Sequence, residues 1–223
     1  MTQASFDTST TATQRVASAL EGAASPAAQH VFTQLYADAA RASAQQCDAQ
    51  AQADKSLGAL HGVCITIKDN IDVAGETTMA GGVVCAGEAP ALHDAPVVQR
   101  LRDAGAVVLG KTNMSEFAFS GVGINPHHGT PANPADKAHA RVPGGSSSGA
   151  AVSVALGLAE VGIGTDTGGS IRIPAALCGL VGFKATQARI PCTGVMELSR
   201  TLDTVGSITR SVRACLAVDA VLS

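Results

Sequence analysis

The sequence predicts an α/β protein in which a mostly parallel or mixed β-sheet is layered between helices, and three observations carry that prediction. Helix-like and strand-like segments alternate along most of the chain, the pattern of helices covering a sheet. The core material is small and aliphatic: 46% of the 223 residues are hydrophobic, 15% are charged, and aromatics are limited to five Phe and one Tyr. Finally, Gly62-Val-Cys-Ile-Thr-Ile-Lys68 alternates cleanly, with Val63, Ile65 and Ile67 on one side and Cys64, Thr66 and Lys68 on the other.

Taken in order, residues 12–24 read as a first helix. Ser25-Pro26 then supplies an N-cap and an N1 proline for a second, with Val31, Leu35, Ala39 and Ala42 on one face. The Gln/Ala-rich stretch 43–56 either extends that helix or loosens into a connection. Residues 1–60 are thus expected as a helical segment packed on a core formed by 61–223. After the strand ending at Lys68, a helix capped by Asp94 runs to Ala104 and stops at Gly105, and a buried strand follows over 106–109. Residues 121–141, with three prolines and three histidines, form a long loop. A small-residue helix (148–158), a strand (160–165), a short helix (174–178) and a strand (180–184) come next. A last helix capped by Ser211 reaches Ser223 without a stop signal, so the domain is expected to be incomplete at that end.

The formal net charge of −3 and pI near 6.0 give no basic face for nucleic acid. No apolar run is long enough to span a bilayer, and nothing at the N-terminus resembles a signal peptide, so a cytoplasmic protein is expected. Cys47, Cys64, Cys85, Cys178, Cys192 and Cys215 show no C-x-x-C pair and no metal-ligand spacing. Most of them read as buried small hydrophobes in a reducing compartment.

Two motif matches fail on inspection. Gly105-Ala-Val-Val-Leu-Gly110-Lys111-Thr112 fits the phosphate-binding string G-x-x-x-x-G-K-[ST], but a helix precedes its first glycine and the intervening residues are themselves a strand. Gly145-Ser146-Ser147-Ser148-Gly149 fits the G-x-S-x-G nucleophile elbow, whose triad order is Ser, then Asp or Glu, then His. All six histidines precede Ser147, so that order has no His to end on. The pair His127-His128 lacks further ligands at zinc-site spacing.

Lysine is the remaining candidate base, and Ser–Lys pairs are a known variant of triad logic. To accept a proton a lysine must be neutral, and burial can depress its ordinary value near 10.4 by about 3–5 units. A drop of about three units costs on the order of 4 kcal/mol. Lys68, at the end of an apolar strand, is the lysine best placed for this. Asp69 opposes it unless its carboxylate points elsewhere.

The segments Thr66-Ile-Lys68-Asp-Asn70, Gly144-Gly-Ser146-Ser-Ser-Gly149 and Gly164-Thr-Asp166-Thr-Gly-Gly-Ser170-Ile-Arg172 closely resemble the amidase signature family. Gly110-Lys-Thr-Asn-Met114, Gly129-Thr-Pro-Ala-Asn-Pro134 and Cys178-Gly-Leu-Val-Gly-Phe-Lys184 extend the likeness, which covers about residues 62–210. The resemblance implies the α/β/α amidase signature fold, in truncated form, and a Ser–cis-Ser–Lys triad: Ser170 as nucleophile, Ser146 as bridging serine and Lys68 as base. Ser146 lies 24 positions before Ser170, the family's spacing, which selects it over its two neighbours. Backbone N–H groups of Thr167, Gly168, Gly169 and Ser170 would form the oxyanion hole, in keeping with a Gly-rich turn entering a helix.

Among supporting residues, Asp166 is expected to orient the loop. Arg172 is expected either to bind a substrate carboxylate or to brace the nucleophile turn. Ser147 either shapes the bridging loop or caps the following helix. No metal or organic cofactor is implied. The implied reaction is hydrolysis of a small carboxamide, with two alternatives: an amidotransferase A-type subunit passing ammonia to a partner working on aminoacyl-tRNA, or a non-catalytic remnant. A half sheet would expose an apolar edge, for which a homodimer or a complementing C-terminal fragment is the expected cover. Ala185 and Ser207 stand where the family commonly has proline, which is expected to loosen two turns.

Overall fold

The computed structural model describes residue 6 and residues 9–223. Six strands form one mixed sheet in the order β1-β3-β2-β4-β6-β5. They are β1 (Phe32–Leu35), β2 (Cys64–Lys68), β3 (Val107–Thr112), β4 (Val161–Asp166), β5 (Val181–Lys184) and β6 (Thr204–Thr209). The central trio β3, β2 and β4 is parallel, whereas β1 and β6 run antiparallel to their neighbours. Among the described residues, six α-helices pack around the sheet: α1 (Ala12–Ala23), α2 (Ala37–Gln52), α3 (Pro96–Asp103), α4 (Ser148–Ala155), α5 (Arg172–Leu177) and α6 (Val212–Leu222).

The alternation in β2 sorts the two layers. Val63, Ile65 and Ile67 bury against Val97, Val98 and Leu101 of α3 and Ala214, Val218 and Leu222 of α6. Cys64 faces the other way, into a cluster with Val16 of α1 and Ala44 of α2. Thr66 meets Ser153 of α4 on that same side, the two hydroxyls lying 3.1 Å apart. Each fully buried Ile or Leu in these clusters contributes roughly 1.5–3 kcal/mol. Lys68 therefore belongs to the α4 layer, and it is fully buried.

Glycine makes the α4 layer possible. A Cβ on Gly162 would stand 2.6 Å from the Ala150 carbonyl oxygen, and one on Gly164 would stand 2.6 Å from Ser147 Oγ. Side chains at either position would lift the start of α4 off β4.

Several elements differ from the sequence expectation. The helix expected from Pro26 stops after one 3₁₀ turn at Ala28, and Phe32–Leu35 forms a sheet edge instead. Its pairing with Thr112, Lys111 and Gly110 of β3, together with the Tyr36 N–H bonded to Leu109 O at 2.8 Å, overrides the apparent helical face. Residues 37–52 then form α2, so the Gln/Ala-rich stretch is helical as far as Gln52, in a helix separate from the one expected at Pro26. Thus the N-terminal segment contributes a strand as well as helices.

The α3 N-cap is Ala95, not Asp94. The Asp94 carboxylate accepts from the Ala74 N–H at 2.8 Å and pairs with Arg102 at 2.8 Å. Strand β6 is absent from the sequence expectation. Ser207 lies in its middle, paired with Ile163 and Phe183, so that position is sheet rather than turn. Ser211 does cap α6, its hydroxyl accepting from the Ala214 N–H at 3.2 Å. No helix among the described residues is long and apolar enough to cross a membrane.

Candidate active site

Parallel pairing of β2 with β4, with Ile67 opposite Ile163, brings the C-terminal ends of both strands together. Lys68 ends β2. Its Nζ lies 2.7 Å from Ser146 Oγ and 2.7 Å from Thr165 Oγ1, residues 78 and 97 positions away in the chain. Asn70 Nδ2 also donates to Thr165 Oγ1, at 3.1 Å. Thr165 thus gives the lysine head a second anchor besides Ser146.

Burial holds the Lys68 amine down at about 7, against the weaker opposing pull of Asp166 and Asp203. The neighbouring Asp69 turns away from it. Its carboxylate lies 3.4 Å from Lys111 Nζ, with both side chains 1% exposed, and accepts from the Gly81 N–H at 3.2 Å. Burial raises Asp69 and lowers Lys111, while each partner's charge opposes the other's shift. The lysine of the rejected phosphate-binding string is therefore occupied by Asp69, inside β3.

The loop before α4 supplies Ser146 after a cis Gly145–Ser146 peptide. Contacts from three directions hold it: Gly145 N–H to Gly121 O at 2.8 Å, Ser115 N–H to Ser146 O at 3.1 Å, and Ser147 N–H to Ser170 O at 3.1 Å. A Cβ on Gly145 would come within 2.6 Å of the Gly123 nitrogen, so only glycine lets these two loops close up. Ser147 occupies the N-cap position of α4 without capping it; its hydroxyl donates to Thr165 O at 3.3 Å. Ser147 therefore ties the loop before α4 to the end of β4.

Ser170 sits in the turn between β4 and α5. Of the three triad candidates it alone reaches the surface, at 8% exposure, while Lys68 and Ser146 are fully buried. Asp166 organises this turn. Its Oδ1 accepts from the Gly169 N–H at 2.7 Å, and Oδ2 accepts from the Ile171 N–H at 3.1 Å. Arg172 adds a two-pronged pair, Nε to Oδ2 and a terminal nitrogen to Oδ1, each at 2.9 Å. Although burial pushes the Asp166 carboxyl up, these donors outweigh it and hold the group below its usual range.

Arg172 and Asp166 together brace the turn that holds Ser170. The Gly169 N–H donates to Asp166 Oδ1 and in this arrangement is not free to meet an oxyanion. Among the described residues, the N–H groups of Thr167, Gly168 and Ser170 donate to no protein acceptor.

Thr165, Asn70, the Asp69–Lys111 pair and Asp203 do not stand out as site residues in the sequence. No group of three or more His, Cys, Asp or Glu side chains is placed to hold a metal ion among the described residues. His127 pairs with Glu116 at 3.0 Å.

The amidase family model matches residues 15–223. The chain belongs to the amidase family. Curated relatives include the A-type subunit of the glutamyl-tRNA(Gln) amidotransferase of Anaeromyxobacter sp. (strain K), 45% identical over 181 residues, covering 81% of this chain and 36% of the relative. The 2-amino-5-chloromuconic acid deaminase of Comamonas testosteroni is 44% identical over 173 residues, covering 78% of this chain and 37% of the relative. Among solved structures, the peptide amidase of Stenotrophomonas maltophilia superposes with a TM-score of 0.88 at 39% identity, over 96% of this chain and 45% of that one. A structure described as a vestigial protein complex bearing on the origins of an s-triazine catabolic enzyme gives a TM-score of 0.91 at 35% identity, over 96% and 47%. This amidase-family chain thus spans a little over a third of the length of these curated relatives and under half of these solved chains.

Proposed function

We propose that this amidase-family chain carries the acyl-transfer machinery of an amide hydrolase, acting on a small carboxamide through an acyl-Ser170 intermediate. The observation that carries this reading is the buried 2.7 Å contact between Lys68 Nζ and Ser146 Oγ. A lysine held at about 7 is substantially neutral near physiological pH and can accept a proton.

In the proposed sequence, Ser170 Oγ bonds to the substrate carbonyl carbon. Its proton passes to Ser146 Oγ as the Ser146 proton passes to Lys68 Nζ. The N–H groups of Thr167, Gly168 and Ser170 are the available donors for the oxyanion, and one such donor is typically worth about 3 kcal/mol. The proton then returns through Ser146 to the departing nitrogen, the C–N bond breaks, and ammonia leaves. Water, deprotonated by the same relay, cleaves the acyl ester and restores Ser170.

Intact-mass analysis after treatment with a fluorophosphonate tests this reading. A single adduct is expected on the wild-type chain and none on Ser170→Ala; an unlabelled, folded wild type overturns it and favours the remnant. The relatives that are amidotransferase subunits support a second reading, in which the ammonia passes to a partner working on aminoacyl-tRNA. Ammonia release from simple amides by the chain alone favours the hydrolase, and release only with glutamine and a partner favours the amidotransferase role.

A further inference from the structure

Thr167, the first residue of the nucleophile turn, is fastened at its side chain. Thr167 Oγ1 donates a hydrogen bond to Asp203 Oδ1. The other oxygen of Asp203 accepts the N–H groups of Leu198 at 2.8 Å and Ser199 at 3.0 Å. The same loop runs along the residues that follow Lys68. Met196 N–H donates to Asn70 O at 2.8 Å, Asp72 N–H donates to Gly194 O at 2.8 Å, and Ile71 forms a bridge with Val195. One carboxylate therefore joins the turn that holds Ser170 to the loop that lies against Asn70.

We propose that Asp203 is a positioning residue for this site, fixing the Thr167 turn that carries the candidate oxyanion donors. The proposal rests on the amide-hydrolase reading above. The other charged groups near Lys68 have partners of opposite sign: Asp166 is held by Arg172 and Asp69 by Lys111. Helix α4 and the loop before it, residues 144–155, bring no charged side chain. Among the described residues Asp203 has hydrogen-bond donors but no cation at ion-pair distance. Asp203 and Asp166 both favour the ammonium form of Lys68, against the burial that disfavours it.

The test follows the rate of fluorophosphonate labelling against pH, which needs only half the reaction. The Ser170 Oγ–P bond forms, fluoride leaves, and the Ser170 proton passes through Ser146 to Lys68. Thr167→Val is expected to slow labelling about tenfold to a hundredfold by loosening the turn, with the pH midpoint unmoved. Thr167→Ser, which keeps the hydroxyl, restores the rate.

Asp203→Asn is expected to slow labelling and also move its rise toward lower pH, because removing a nearby negative charge disfavours charged Lys68. A merely structural role would slow Asp203→Asn without moving the midpoint. An unmoved midpoint in folded Asp203→Asn, or an unslowed Thr167→Val, overturns the proposal. Should Asp203→Asn fail to fold by circular dichroism, the Thr167 pair decides alone. A folded wild type that takes no label overturns the hydrolase reading and this proposal with it; a labelled wild type with unresponsive variants overturns this proposal only.

Discussion

Lys68 Nζ and Ser146 Oγ lie 2.7 Å apart with both side chains fully sequestered from solvent. An ammonium in that position has lost its hydration and keeps two hydroxyl partners, Ser146 and Thr165, neither of which carries charge. The fold therefore stabilises the amine over the ammonium, and stability and reactivity pull against each other at this residue.

Replacing Lys68 with Met removes that conflict. Lys68→Met is expected to abolish labelling of Ser170 while making the folded state more stable at pH 6. The sign follows from linkage. The folded-state value, about 7, lies below the ordinary 10.5, so the unfolded chain binds the proton more readily. The cost is fully present below pH 7 and fades as pH rises toward 10.5. The stability gain of Lys68→Met, at most about 4–5 kcal/mol from the size of the shift, should shrink between pH 7 and pH 10. Urea unfolding at several pH values measures this; a gain independent of pH contradicts the assignment of a neutral buried lysine.

Labelling of the wild type should rise with pH through about 7, as Lys68 loses its proton. Rate constants measured from pH 5 to 9 check this. A rise centred near 10 would mean that Lys68 behaves as an ordinary exposed lysine.

Thr165→Val keeps the shape of the side chain and deletes the acceptor shared by Lys68 and Asn70. With one anchor gone, the amine loses its fixed aim at Ser146. The labelling rate is expected to fall about tenfold to a hundredfold, with the melting temperature lowered by a few degrees for about 1 kcal/mol. Mass spectrometry and thermal melts on one preparation separate the two effects.

Asp166 and Arg172 should not be equivalent. Asp166 is fully buried and serves backbone donors as well as Arg172, whose side chain is 51% exposed. Asp166→Asn is expected to cost about 3–5 kcal/mol, whereas Arg172→Met should cost about 1 kcal/mol because solvent screens it. The folded Asp166 carboxyl lies below its ordinary 3.8, so its contribution is present above that value and lost as pH falls beneath it. The two variants' unfolding free energies at pH 7 and pH 3 should therefore converge in acid.

Much of the site is legible in the sequence because its chemistry is packed into short segments. Lys68 stands out as a charge ending an apolar strand, and its face follows from alternation in β2. The two glycine–serine segments mark Ser146 and Ser170. What stays hidden depends on contacts between distant residues. Strand β1 looks helical because Val31, Leu35 and Ala39 fit a 3.6-residue period, and only its pairing with β3 decides otherwise. Strand β6 is obscured by Gly206 and Ser207, which resemble a turn until β4 and β5 flank them. The Gly169 N–H looks free for the oxyanion because nothing in the sequence shows that the Asp166 carboxylate folds back onto it.

The parallel registry of β2 with β4 has a kinetic consequence. Lys68 meets partners 78 and 97 positions later, and the segments between them include α3, β3 and α4. Loops of that length close slowly, because their entropy must be spent before any contact repays it. The Lys68–Ser146 contact therefore cannot assemble from a local fragment and forms only when the middle of the sheet zips together. Reactivity at Ser170 should consequently appear late in refolding, after helical circular dichroism has recovered, so that time-resolved labelling reports closure of the central strands.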